Sequence, residues 1–194
     1  MMARTFILYS HGNTDPNFDI DKSYYFGRLD LVCRVILSAL WLSEKIRKDT
    51  QVLVSLNGGP NPPIALKFDG AKIAGIEPSE FSIAKIIKSA LFSAKEKDWK
   101  FVHYGVFVSK KSFQDLVKES KNIWLLDAKG RHIFKSRFKE FKEITFVLGD
   151  NLGVPKNEKQ FVLRKGEAIS IGKNIYLASS VVSIVNWVLD QNVR

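Results

Sequence analysis

The stretch Ile144-Thr145-Phe146-Val147-Leu148-Gly149-Asp150-Asn151-Leu152-Gly153 points to the fold class of this chain. Its first five residues form a β-branched and aromatic run, which suits a strand buried on both faces. Two glycines in a turn follow directly. In open α/β sheets ligands gather at the carboxyl ends of the strands, and glycine lets the backbone approach a bound molecule closely. A turn with two glycines is also a common plain connection, so the stretch gains its meaning from what surrounds it.

Strand-like and helix-like patterns alternate on either side. Thr5–Ser10, Val52–Leu56, Gly105–Val108 and Ile123–Leu126 read as short strands. Leu29, Val32, Cys33, Ile36 and Leu40 recur at intervals of three and four, predicting an amphipathic helix over 29–46. Glu77-Pro78-Ser79-Glu80 opens a second helix, with Phe81, Ala84, Ile87 and Leu91 on its apolar side. Further helices are expected over 110–119 and 177–189. Ile64–Phe68 and Ala71–Ile76 flank Asp69-Gly70, a two-residue hairpin signal. The sum is an α/β chain with a largely parallel sheet, one domain over 1–194 carrying a hairpin insertion near 64–76. Internal repeats, low-complexity tracts and Gly/Ser linkers are missing from the sequence.

Composition narrows the function classes. The 194 residues hold 30 Lys and Arg against 20 Asp and Glu, a net charge of +10, which favours a polyanionic partner such as RNA or DNA. Cys33 is the sole cysteine, so no intrachain disulfide can form, and His11, His103 and His132 lack metal-ligand spacing. A metal is therefore not expected. No apolar stretch reaches the ~18 residues of a membrane span, and the opening MMARTFILYS reads as a strand rather than a signal peptide. The expectation is a cytoplasmic protein. Neither G-x-G-x-x-G nor G-x-x-x-x-G-K-[ST] occurs, which disfavours Rossmann dehydrogenases and P-loop NTPases.

Three clusters remain as candidates for chemistry. Gly27-Arg28-Leu29-Asp30-Leu31-Val32-Cys33-Arg34 heads the first long helix. Asp30 and Arg34, four residues apart, share a face, with Arg28 nearby. That spacing is commonly a surface ion pair worth about 0.3–0.5 kcal/mol, but it can also present a proton-accepting carboxylate and a bidentate guanidinium to one ligand. Asn57-Gly58-Gly59-Pro60-Asn61-Pro62-Pro63 fixes an unusual backbone path, either as a plain connection or as a rigid wall of a pocket. Ile169-Ser170-Ile171-Gly172-Lys173-Asn174 is a second strand followed by a turn. Together with the Gly149 turn and the terminal helix it suggests a shared cleft. His11 lies just past the first strand, where it could touch RNA or be a satisfied structural histidine.

GRLDLVCR (27–34), LSEKIRKD (42–49), PNPPIALKF (60–68) and FVLGDNLGV (146–154) occur in one order nearly end to end. Together they resemble the archaeal tRNA pseudouridine-54 N1-methyltransferases (the TrmY family), relatives of the Nep1 rRNA methyltransferases. The resemblance implies the SPOUT fold, with a C-terminal deep trefoil knot, and a homodimer acting on tRNA. It implies S-adenosyl-L-methionine as cofactor, held by Leu126, Gly149, Val181 and the segment Ile171, Gly172, Lys173, Asn174, Ile175 and Tyr176. The expected catalytic residues are Asp30, as proton acceptor or orienter of N1, and Arg28, steadying base or phosphate. Arg34, His11 and Asn61 are expected to meet RNA, with Arg34 holding its backbone or fixing Asp30. The family pattern has a proline after the strand and a His or Cys further on, where this chain has Gly172-Lys173-Asn174 and Leu177-Ala178-Ser179-Ser180-Val181. Two alternatives stay open: a Nep1-like rRNA enzyme, and a non-catalytic RNA-binding protein on the same scaffold.

Overall fold

A computed structural model describes residues 2–191. The chain runs β1 (Ala3–Asn13), α1 (Leu29–Leu40), β2 (Thr50–Gly58), β3 (Ile64–Asp69), α2 (Glu80–Ser93), β4 (Lys100–His103) and β5 (Val106–Ser109). It continues through α3 (Phe113–Lys118), β6 (Ile123–His132), β7 (Glu143–Gly149), α4 (Lys156–Leu163), β8 (Gly166–Ser170) and α5 (Ala178–Gln191). One sheet of eight strands has the order β4-β5-β3-β2-β1-β7-β6-β8. Every pairing from β2 to β8 is parallel, and the pairings among β2, β3, β5 and β4 are antiparallel.

The alternation of strand side chains sorts the core onto two faces. Phe6 and Leu8 of β1 point to one face with Val52, Val54 and Phe146, where Val32, Ile36 and Val185 of α1 and α5 cover them. Ile7 points to the other with Leu53 and Val147, beneath Leu116 and Val117 of α3 and Val162 after the first turns of α4. Both faces being covered explains why the parallel strands read as near-continuous apolar runs. The far end of α5 is fastened by charge. Asp190 meets buried Arg4 at 2.8 Å and Arg47 at 2.6 Å, and Asn186 accepts from Arg4 at 3.1 Å.

Three sequence expectations need correction here. The hairpin over 64–76 does not form, because β3 already has β2 on one edge and β5 on the other. The chain after Asp69 instead curls back, with the Lys72 and Ile73 amides donating to the Asp69 carbonyl. The first helix stops at Leu40 rather than running to Ile46. Trp41 turns extended and bridges to Ile46, while the Arg47 amide donates to the Leu40 carbonyl at 2.8 Å. The helix expected over 110–119 is shorter at its start, since Ser112 and Asp115 form a reciprocal capping box that fixes its first turn.

Candidate functional site

The carboxyl ends of β6, β7 and β8 converge on the start of α5 around a cavity of about 420 Å³. That volume lies within the ~300–1,000 Å³ typical of small-molecule sites. Leu126, Leu148, Ile169 and Val181 give it an apolar floor. The β7 turn is folded tightly enough that a Cβ on Gly149 would lie 2.3 Å from the Gly153 carbonyl carbon, so no larger residue fits there without moving backbone. Asp150, buried at the head of this turn, ties it to β1. Its carboxylate accepts from the His11 amide at 2.6 Å and the Leu152 amide at 3.0 Å, and the His11 ring lies 3.1 Å away. On the β8 side, Gly172 has φ +142° and an open face toward the cavity. Its amide donates to Ser170 Oγ at 3.1 Å.

A second wall comes from the start of α1. Gly27 and Arg28 both adopt left-handed backbone, φ 61° and 62°, turning the Arg28 side chain onto the cavity just before the helix begins. Such a conformation is costly for an arginine and has to be held by its surroundings. Its guanidinium is fixed from two directions. Nε and Nη2 donate to the two oxygens of Asp30 at 3.0 and 3.2 Å, and Tyr24 lies face-on at 4.6 Å. Arg34 Nη2 donates to the same carboxylate, while its Nη1 lies 3.6 Å from Glu80. Burial pushes the Asp30 carboxyl up, but the hydrogen bonds and charges of Arg28 and Arg34 outweigh it and hold the group below the ordinary carboxylate range. The hydrogen bond to Asp30 correspondingly raises Arg28.

The structure thus brings together most of the residues singled out from sequence. Leu126, Gly149, Ile171 and Gly172 line the cavity, as do Asn174, Ile175, Tyr176 and Val181. Lys173 does not; its side chain is exposed. Asp30 stands behind Arg28 rather than on the wall, only 6% exposed. His11 reaches the site through Asp150. Asn61 lies off the cavity, where its amide donates to Thr14 Oγ1 and its carbonyl accepts from Lys110. Sequence reasoning missed Asp127 and Lys159, cavity residues paired at 2.7 Å. The Lys159 hydrogen bond, then the Lys129 amide, holds the Asp127 carboxyl below its ordinary range. Asp127 had a signal, since it directly follows the strand Ile123–Leu126. Lys159 had none, because it lies on the short helix α4, whose pattern is weakly apolar.

Among the described residues no group of three His, Cys, Asp or Glu could hold a metal ion, and no helix is long and apolar enough to cross a membrane. The Cys33 thiol is pushed up to about 12, chiefly by burial, and is inert.

Comparison with known proteins bears on the family and the fold. A family model described as "Putative SAM-dependent RNA methyltransferase" matches residues 3–193. The tRNA (pseudouridine(54)-N(1))-methyltransferase of Thermococcus kodakarensis is 38% identical over 197 residues, covering 96% of this chain and 98% of the relative. Its namesake from Methanococcus maripaludis strain C6 is 37% identical over 171 residues, covering 85% and 86%. The crystal structure of Archaeoglobus fulgidus Nep1 bound to S-adenosylhomocysteine superposes with a TM-score of 0.70 over 99% of each chain, at 12% identity, a likeness of fold. Matched over nearly its whole length, the chain belongs to this family of SAM-dependent RNA methyltransferases.

Proposed function

We propose that the protein transfers a methyl group from S-adenosyl-L-methionine to N1 of pseudouridine 54 in the T-loop of tRNA. The observation that carries this reading is the placement of Arg28, held by Asp30, on the wall of the cavity built by the Gly149 and Gly172 turns. The curated relatives support tRNA over rRNA as the substrate.

The cavity fits the cofactor. Its apolar floor suits an adenine ring, the open face of Gly172 leaves room for a nucleoside against backbone, and Asp127 offers a carboxylate for ribose hydroxyls. Leu126, Gly149, Val181 and the segment from Ile171 to Tyr176 would hold it, with Lys173 outside the contact set. When bound, S-adenosylmethionine supplies an electrophilic methyl group on sulfur.

Pseudouridine is a C-glycoside, so its N1 carries a proton that must be lost. Arg28 is placed to stabilise the negative charge that develops on the ring, a kind of electrostatic help worth about 100- to 1,000-fold in rate. Asp30 acts as the orienter of Arg28 rather than as the base. Two guanidiniums keep it ionised but spend its lone pairs, and it is buried behind the wall. Arg34 fixes Asp30 and His11 steadies the Asp150 turn. The N1 proton leaves to solvent at the cavity mouth. The target base has to leave its stack to reach this depth.

The reading includes a homodimer, supported by the exposed Ile175 and Leu177 on the cavity lining, apolar side chains that an interface would cover. It includes a C-terminal knot, for which the likeness of fold to Nep1 speaks, and a cytoplasmic setting, which suits a tRNA substrate. The test uses purified protein, S-adenosylmethionine and tRNA transcripts with and without pseudouridine at the T-loop position. A methyl mass mapped only to the pseudouridylated transcript is expected. Methylation of the uridine transcript would overturn the N1 assignment, and methylation of an rRNA fragment alone would move the protein to a Nep1-like role.

A further inference from the structure

The second half of β6 and its connection to β7 have no part in the cavity beyond Ala128, yet they concentrate the charge of the molecule. From Lys129 to Lys142 there are six Lys and Arg and one Glu, a net of +5, half of the +10 carried by the whole chain. All six cations are exposed. Ordinary solvated faces intersperse both signs, which lowers the local field.

The fold displays these cations in a line. Because β6 and β7 are parallel, their connection must travel back along the length of the sheet, roughly 20 Å for a seven-residue strand. Ile133 and Phe138 are buried along the way, and Phe138 packs edge-on against Trp124 with ring centroids 5.4 Å apart. These apolar anchors fix the path, so Lys129, Arg131, Lys135, Arg137 and Lys142 project from a held backbone. The line starts at the site. Leu126, Asp127 and Ala128 line the cavity, and Arg131 and His132 pair with Ile169 and Ser170, which also line it. Exposed Phe134 and His132, with ring centroids 5.3 Å apart, interleave aromatic faces with the charges. Arg131 pairs with Glu167 at 3.2 Å and Arg137 with Glu140 at 3.9 Å, both at the surface. Such pairs contribute little and exchange readily for phosphate.

We infer that this basic connection is a docking track for the RNA backbone, guiding phosphates flanking the target nucleotide up to the mouth of the cavity. The inference rests on the reading of the protein as an RNA methyltransferase. It assigns the connection to phosphate contacts that are indifferent to sequence, leaving selection of the base to the cavity.

The test is the salt dependence of tRNA binding by fluorescence anisotropy. It compares the wild type with a variant carrying Lys129→Gln, Arg131→Gln, Lys135→Gln, Arg137→Gln and Lys142→Gln. Binding is expected to weaken about 10- to 1,000-fold at moderate salt, and the slope of log K against log salt to fall by about three to five units. Cofactor affinity by calorimetry should not change. If the fivefold variant does not fold, the pair Lys135→Gln with Arg137→Gln carries the test, with a slope change of about one to two. A control with Lys72, Lys85 and Lys100 replaced by Gln, far along the antiparallel edge, should lose less affinity per charge. An unchanged slope in the track variants would overturn the inference. So would charge-dependent binding of acidic phospholipid vesicles with no RNA binding. Failure of the methyltransferase reading looks different: wild-type protein would bind tRNA through the track yet methylate no transcript.

Discussion

The two walls of the cavity are built in opposite ways. The Arg28 wall is made of side chains: a guanidinium fixed by a bidentate carboxylate, by an aromatic face and by a strained left-handed turn. The wall from Ser170 to Leu177 is a loop, here called the backbone wall, that brings no charged side chain to the cavity. It carries one short Ser170–Gly172 hydrogen-bonded loop, an open glycine and the almost fully exposed Ile175. The difference separates two tasks. A group that must face developing charge has to be held in advance, since any reorganisation during the reaction costs rate. A surface that receives a nucleoside needs shape and free peptide groups, and most side chains there can change.

The sharpest way to break this contrast is Arg28→Ala. Methyl transfer should fall about 100- to 1,000-fold, while the affinity for S-adenosylmethionine measured by calorimetry stays within about twofold. A comparable loss in cofactor affinity would mean that the Arg28 wall holds the donor, and the two walls would not differ as argued. On the backbone side, Gly149→Ala puts a methyl 2.3 Å from the Gly153 carbonyl carbon and must displace the turn. Cofactor affinity should drop by about tenfold or more, because strain of about 1–3 kcal/mol is typical of such positions. Gly172→Ala meets open space and pays only for its φ of +142°, so its loss should be the smaller of the two.

These walls were not equally legible in the sequence. The side-chain wall announced itself through Gly27-Arg28-Leu29-Asp30, because a charged pair at the head of an apolar helix is unusual enough to notice. What the spacing could not tell was that Asp30 turns inward, behind Arg28. Its burial depends on the left-handed turn at Gly27-Arg28 and on how α1 packs, both tertiary facts. The backbone wall was reached through two strand-plus-glycine turns, which carry position but no side-chain detail, and Lys173 entered only within the segment Ile171 to Tyr176 that the family resemblance implied. The parallel core was readable from its apolar runs. The hairpin failed because Asp69-Gly70 is a local signal, whereas the competition of β2 and β5 for the edges of β3 is decided by strands distant in sequence. Asp127–Lys159 joins residues 32 apart and follows the same rule.

Acid titration gives an effect of intermediate size. Asp30 and Asp127 are both held below the ordinary carboxyl value of about 4 in the folded protein. For a group with a depressed folded pKa, the unfolded chain binds the proton first. The stability each carboxylate contributes is therefore complete above the ordinary carboxyl range and is lost as pH falls through the folded value. Asp30→Asn should lower the melting temperature at neutral pH, with the gap to the wild type closing below about pH 4. Asp127→Asn should behave alike but with a smaller gap, since its ion pair with Lys159 is partly exposed and screened by solvent. A gap that stays constant down to pH 2 would show that Asp30 contributes through packing rather than charge.

The smallest effect expected is the one that most refines the contrast. Lys173 sits in the middle of the backbone wall, between Gly172 and Asn174, yet its side chain is exposed and outside the cavity lining. If that wall works through main-chain shape, Lys173→Ala should change cofactor affinity by less than about twofold, as is usual for exposed positions. Removing a positive charge near a cationic sulfonium could even help slightly, and that too stays within the same bound, since exposed charges are screened over about 8–10 Å. A tenfold loss in calorimetry would mean that the loop closes over the donor and brings Lys173 inward. The wall from Ser170 to Leu177 would then be a side-chain wall assembled on binding, and the two sides of the cavity would differ in timing rather than in kind.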